Sequence, residues 1–279
     1  MMKFRCRTYL SPLLVCLAAC AAVLAVPAAA PEGSPAGPDA QAAAVSGQVL
    51  EAVGGRAALA GTNYVRFTLV VEKEGAVRLS RTHYWDLRKQ LHRLETTEKD
   101  GSSVVCLTHM PSREGVCTVG EKVLMDEEAK PRIVRTLAAW THDLHWLMMP
   151  YLIKDPDVSL KYGGEVKEGA AVFDKLLFDL ENAGLTPRDK SWIYVDRKTH
   201  RIDRWACVLR DESGPPMPAE PGVWAWKGWT RFGKLMLSTE RIAADGKAKV
   251  LFKNVAVFDE LPGEVFSKTS KVEIPSPKP

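Results

Sequence analysis

Several signatures that would assign a reaction are absent from this sequence. It has no G-x-S-x-G nucleophile elbow, no P-loop, no G-x-G-x-x-G turn and no H-E-x-x-H pair. The common serine-hydrolase, nucleotide-binding and zinc-protease patterns are therefore missing. Charge of one sign is lacking too. The formal net charge is +4, and Lys3, Arg5 and Arg7 sit in the first 30 residues, which hold no acid. The remaining chain is close to neutral, with Lys and Arg scattered among the acids. A nucleic-acid partner would call for a concentrated basic face, and this near-neutral, scattered charge gives no reason to expect one. Cysteine is sparse, with three of the six lying beyond residue 30. Long apolar runs are confined to the N-terminus.

That N-terminus reads as an export signal over residues 1–30. A basic start is followed by an apolar run from Tyr9 to Val26, broken by Pro12, and by the small residues Ala28, Ala29 and Ala30. Within it, Leu17-Ala-Ala-Cys20 resembles a bacterial lipobox, in which Cys20 would be acylated and become the mature N-terminus. The apolar Ala21 to Val26 that follows is unlike the usual polar tether, so lipoprotein and simple secretion both stand. A spanning anchor is disfavoured by two prolines in a run barely reaching ~20 residues. The expected address is the periplasm or the outer membrane. Residues 31–38, with three prolines and two glycines, form a linker.

The rest, residues 39–266, reads as one domain, and residues 267–279 as a disordered tail. Asp39 caps an Ala-rich helix to about Val53, stopped by Gly54 and Gly55. From Asn63 the apolar period becomes two. Val65, Phe67, Leu69 and Val71 lead through Lys73-Glu-Gly75 into Val77 to Trp85. Strands follow over 90–97, 102–109, 116–119 and 122–125, and later over 158–162, 171–180, 191–196, 201–210, 235–242 and 249–258. Gly163-Gly164 marks a turn and Gly228 a bulge. Short connections leave no room for parallel crossovers.

Between the two groups of strands lies the only strong helical period, 131–150. Ile133, Leu137, Trp140, Leu144 and Leu147 share one stripe. Pro131 suits a first helical position and Pro150 ends the run. Toward that end Trp146 and Met149 carry apolar character round the wheel. About ten or more antiparallel strands in one domain must curl. The fold class expected is mostly β with α: a strongly curved antiparallel sheet, an open half-barrel wrapping a central helix.

Five residue groups bear on function. Cys106 and Cys117 flank the turn 110–115, so a disulfide and two buried thiols are both open readings. Cys207 reads as a packed free thiol. His142 and His145 are three apart on the helix and would suit a shared metal, but no third ligand is named. His83, His92, His109 and His200 sit singly. The eight tryptophans are the unusual feature. Trp85, Trp140, Trp146 and Trp205, with Leu144, Met148 and Met149, would line either a solid core or a pocket for an apolar ligand.

With these residues in place, the chain resembles a family of exported bacterial proteins of uncharacterised activity, related in fold to LolA and other periplasmic lipoprotein carriers. The matching pieces are His83-Thr-Tyr-Trp-Asp86, Asp143-Leu-His-Trp-Leu-Met-Met-Pro-Tyr151, Asp155-Pro-Asp-Val-Ser-Leu160, Gly184-Leu-Thr-Pro-Arg-Asp189, Trp192-Ile-Tyr-Val-Asp196 and Arg204-Trp205. This chain departs from the family at His142, where Asn is usual, and at Asp157, where Gly is. The resemblance implies an incomplete antiparallel barrel plugged by helices, whose concavity takes acyl chains in LolA-like carriers. The expectation is a non-enzymatic envelope protein without cofactor. Its partner would be a lipid or apolar small molecule, with or without an N-terminal lipid anchor. A solid-core scaffold is the alternative, and a metal-dependent hydrolase using His142 and His145 comes last.

Overall fold

Among the described residues thirteen strands form one antiparallel sheet whose order follows from two meanders joined by one helical crossing. The computed structural model describes residues 39–155, 158–179, 190–208 and 221–276. The export signal, Cys20, the linker, the motif at 184–189 and most of the proline-rich insert at 212–222 lie outside these.

Helices α1 (Ala40–Ala52) and α2 (Gly55–Ala60) precede β1 (Tyr64–Lys73). Asp39 caps α1 by accepting from the Ala42 amide at 3.0 Å. The first half of the sheet is a meander: β1, β2 (Ala76–Asp86), β3 (Leu91–Thr97), β4 (Ser103–His109), β5 (Glu114–Val119) and β6 (Lys122–Leu124). Its first hairpin turns at Glu74 and Gly75, with φ of +54° and +78°, the left-handed pair that a two-residue loop needs to match strand twist.

Helix α3 (Asp126–Leu152) then crosses from β6 at one edge to β7 at the other. A second meander returns inward: β7 (Ser159–Glu168), β8 (Ala171–Asp179), β9 (Lys190–Asp196), β10 (Ile202–Val208), β11 (Gly222–Phe232), β12 (Leu235–Ala243) and β13 (Ala248–Phe258). There β13 pairs with β1 and joins the halves. A flat sheet of this width would measure roughly 55–60 Å. A helix of 27 residues spans only about 40 Å. The helix therefore bridges the edges of a sheet that bends round it, and the result is the open half-barrel with a central helix.

The core follows the path of α3. Ala129, Ile133 and Leu137 pack on Leu94, Val104 and the Cys106–Cys117 disulfide. These cysteines face each other directly across β4 and β5. Trp140 meets Phe67 and Trp85, while Trp146, Leu147, Met148 and Met149 join the main cluster with Trp205, Trp226 and Phe252.

Four local expectations change. Helix α3 starts at Asp126, so Pro131 is interior to it; Asp126, Glu127 and Glu128 in the first turn favour the earlier start by meeting the positive helix end. Pro150 does not end the helix, which continues to Leu152. Gly163 and Gly164 form a bulge within β7, where the register shifts between Tyr162 and Glu165, and do not turn the chain. Gly228 keeps the β11–β12 register. Its φ is +65°, and a Cβ there would stand 2.4 Å from the Thr239 hydroxyl, so only glycine fits. From the segment assigned to the tail, the Lys268 and Ser270 carbonyls accept from Arg93.

Candidate functional site

The alternation of β2, β3 and β4 puts Arg81, His83 and Trp85, then His92 and Leu94, then Cys106 and Thr108 on the face toward α3. Asp143, wholly buried on α3, comes down onto this row. Its Oδ2 accepts from His83 Nε2 at 3.0 Å, and its Oδ1 takes hydrogen bonds from His142 Nδ1 at 3.0 Å and Arg81 at 3.3 Å. His83 Nδ1 lies 3.0 Å from His92 Nε2, and His92 Nδ1 lies 3.2 Å from the Thr108 hydroxyl.

Proton positions follow from one end of this chain. An ionised carboxylate only accepts, so His83 carries its proton on Nε2 and must accept at Nδ1. His92 then donates from Nε2 and accepts at Nδ1 from Thr108. On the other branch the Trp146 indole N–H can only donate, at 3.1 Å, to His142 Nε2. His142 therefore donates from Nδ1 to Asp143. Every ring nitrogen of His83, His92 and His142 is occupied.

Electrostatics agree with that pattern. Burial alone would raise the Asp143 carboxyl. Hydrogen bonds from His142 and His83, with the Arg81 charge, outweigh it and hold the group well below the usual carboxylate range. Burial pushes His83 down, against the pull of Asp143. His92 lies well below the ordinary imidazole value through burial first and the neighbouring His83 second. Burial, then His142, brings His145 down to about 4.

A second buried charge sits nearer the end of α3. Arg241 on β12 is fully buried. One terminal nitrogen donates to the Ser238 hydroxyl at 2.7 Å and to the Ser238 and Glu240 carbonyls, both at 3.0 Å. The other donates to the Trp146 carbonyl. That carbonyl needs a donor because its helical partner four residues on is Pro150, which has no N–H. Tyr151 fixes the same end, its hydroxyl donating to the Val53 carbonyl at 2.6 Å and accepting from the Met236 amide at 3.0 Å. Burial raises this phenol to about 12.

Of the residues singled out for an apolar ligand, Trp140, Trp146, Met148, Met149, Trp85 and Trp205 are buried and Leu144 is half-buried against them. They form two groups. Trp85 and Trp140 meet at 5.0 Å, and Trp146 meets Trp205 at 4.6 Å and Trp224 at 5.3 Å. His142 and His145 do not converge on a common point: His142 bonds Asp143 and Trp146, while His145 lies edge-on to Trp205. Among the described residues no three His, Cys, Asp or Glu side chains gather as a metal site. Cys207 is buried, its thiol 3.9 Å from the Gly222 carbonyl oxygen.

Sequence reading missed Arg241 and the His83–His92 contact. The available signal was period two: both histidines and Arg241 occupy positions whose strand neighbours face inward. An open depression of about 730 Å³ beside the β7–β8 and β9–β10 turns is lined by Glu165, Lys167, Val172 and Arg197. Arg197 is already paired with Asp174 and Glu165, and none of the candidate residues reaches it.

No protein-family model matches the chain, and no curated protein matches it. Solved structures similar to it include a DUF1329 family protein from Desulfovibrio piger, 9% identical with TM-score 0.45, covering 82% of this chain and 99% of that one. A LolA superfamily protein from Nitrosomonas europaea is 11% identical with TM-score 0.40, covering 81% and 97%. Lipoprotein LppX from Mycobacterium tuberculosis is 12% identical with TM-score 0.27, covering 61% and 89%. With TM-scores below 0.5 these likenesses assign neither a family nor a role; the open half-barrel round a helix rests on this chain's own strand order and helix path.

Proposed function

We propose that the mature chain is an exported cell-envelope protein that binds a lipid, acyl chain or other apolar ligand between the sheet and α3. One observation carries this reading. The sheet stays open, and the helix laid across its concavity is apolar round its last turns, where Trp146, Leu147 and the adaptable thioethers of its Met148 and Met149 join Trp205 and Trp226 in one buried cluster. Export is supported by residues 1–30 and by the Cys106–Cys117 disulfide, a bond that persists in oxidising compartments.

In this structure side chains occupy the concavity, so a ligand enters by displacing part of α3. Each buried CH2 of an acyl chain returns about 0.8 kcal/mol, which a long chain multiplies enough to offset lost helix packing. The test is native mass spectrometry after detergent-free purification, with uptake of a fluorescent fatty acid. Co-purified lipid and saturable uptake support the reading. A clean apo mass with no uptake overturns it.

A second reading, a scaffold with a solid core, is favoured by one feature: Trp146, Leu147, Met148 and Met149 are each no more than 2% exposed. On that reading Trp146→Ala lowers the melting temperature and changes no ligand behaviour.

A further inference from the structure

Arg241 has no carboxylate within ion-pair distance among the described residues, although it is fully buried. Its acceptors are two backbone carbonyls of β12, the Ser238 hydroxyl and the Trp146 carbonyl, all neutral. A buried cation without a counter-charge is costly, and natural cores seldom keep one unless it is paired or ligated. The guanidinium carbon lies 3.5 Å from the centre of the Trp226 ring, which compensates part of the charge but supplies no acceptor. Two donors at this contact are left over: Arg241 Nε and Trp226 Nε1 are both buried and both without a hydrogen-bond partner. Trp226 is itself 2% exposed. The pair faces α3, since Arg241 reaches the Trp146 carbonyl, and it lies on the inner side of the sheet beside Phe252.

We propose that Arg241 and Trp226 form the head-group site for the carboxylate of a single-chain fatty acid. This rests on the reading that an apolar chain is held between sheet and α3, and it names the chemical class of that ligand. One missing negative charge and two leftover N–H donors match a monoanion with two acceptor oxygens. A phosphate monoester brings three free oxygens and more than one negative charge, and a phosphodiester, though a monoanion, carries a second substituent on its phosphorus that a carboxylate lacks. The hydrocarbon tail would extend from the pair along the interface of Trp146, Met148 and Met149 with the sheet.

The experiment is displacement of cis-parinaric acid, an intrinsically fluorescent fatty acid, from the purified chain at about pH 8, where fatty carboxyls are ionised. Competitors are palmitic acid, hexadecanol and acetate. Palmitic acid is expected to compete about tenfold or more better than hexadecanol. Arg241→Met and Trp226→Phe are each expected to shrink that preference while leaving hexadecanol competition nearly unchanged. Acetate alone should not displace the probe. Equal competition by acid and alcohol on the unsubstituted chain overturns the proposal even if no variant folds. So does a preference that survives Arg241→Met, or displacement by acetate, which would mark an adventitious anion site. If neither the probe nor a competitor binds, the broader apolar-ligand reading falls, and this proposal with it. Binding without acid preference removes this proposal alone.

Discussion

Asp143 is a wholly buried carboxylate, kept ionised by donors on three sides. Such a group ties α3 to β2 and β3 through geometry more than through net energy, because desolvation cancels much of the attraction. Three histidines, two on β2 and β3 and one on α3, make the fold sensitive to acid in a definite direction. His83, His92 and His145 all bind protons less readily folded than unfolded, where the ordinary value is 6.5. As pH falls through that value the unfolded chain takes up protons the folded one refuses, so stability is lost. For His145 the loss levels off near its folded value of about 4. Asp143, held low, adds a loss only below the ordinary 3.8. Urea midpoints should therefore drop steadily from neutral pH toward 4, and His145→Gln should flatten part of that slope. Unchanged midpoints across this range would contradict neutral, buried rings.

The proline near the end of α3 shows how two elements depend on each other. Pro150 leaves the Trp146 carbonyl without a helical donor, and Arg241 on β12 supplies one from outside. Arg241→Met should leave that carbonyl unsatisfied, a loss of about 1–3 kcal/mol, partly offset by removing an unpaired charge. Pro150→Ala restores the helical N–H. In a double-mutant cycle the two substitutions should couple favourably by about 1 kcal/mol; strict additivity would show that the contact is incidental. At the opposite end of α3 the Cys106–Cys117 bridge closes an 11-residue separation between β4 and β5. Reducing it should lower stability by about 3 kcal/mol, measurable as a shift of the urea midpoint with dithiothreitol. These elements also show what could be read in advance. The Ile133 to Leu147 stripe and the strand alternation were plain from periodicity. The start of α3 was not, because acids at Asp126 to Glu128 signal a first turn only weakly beside a proline at 131.

On the scale of the molecule, one helix crossing from edge to edge turns thirteen strands into a half-barrel whose seam is the helix itself. On the proposed reading a ligand enters the concavity by disturbing that seam. Hydrogen exchange should therefore respond to a saturating fatty acid at Trp140 to Leu152 and in the facing β11 and β12. Strands β4 and β5, anchored by the disulfide at the other end, should change little. Identical exchange with and without fatty acid would favour the solid-core scaffold.

Periodicity and turn chemistry by themselves determined most of the strands, the body of the long helix, the antiparallel pairing and the curled sheet, because these depend on neighbours a few residues apart; α2, the ends of α3 and the run of β7 through Gly163 and Gly164 they did not. The inward-facing tryptophans were legible as a set for the same reason. Only the tertiary structure decided that His83 and His92, nine residues apart in the chain, share one hydrogen bond with Asp143 closing the chain of donors. It alone also brought Arg241 beneath the carbonyl of Trp146, 95 residues away. Such contacts are set by register and by the path of α3 across the sheet. No local pattern encodes the distance between a strand and the helix that covers it.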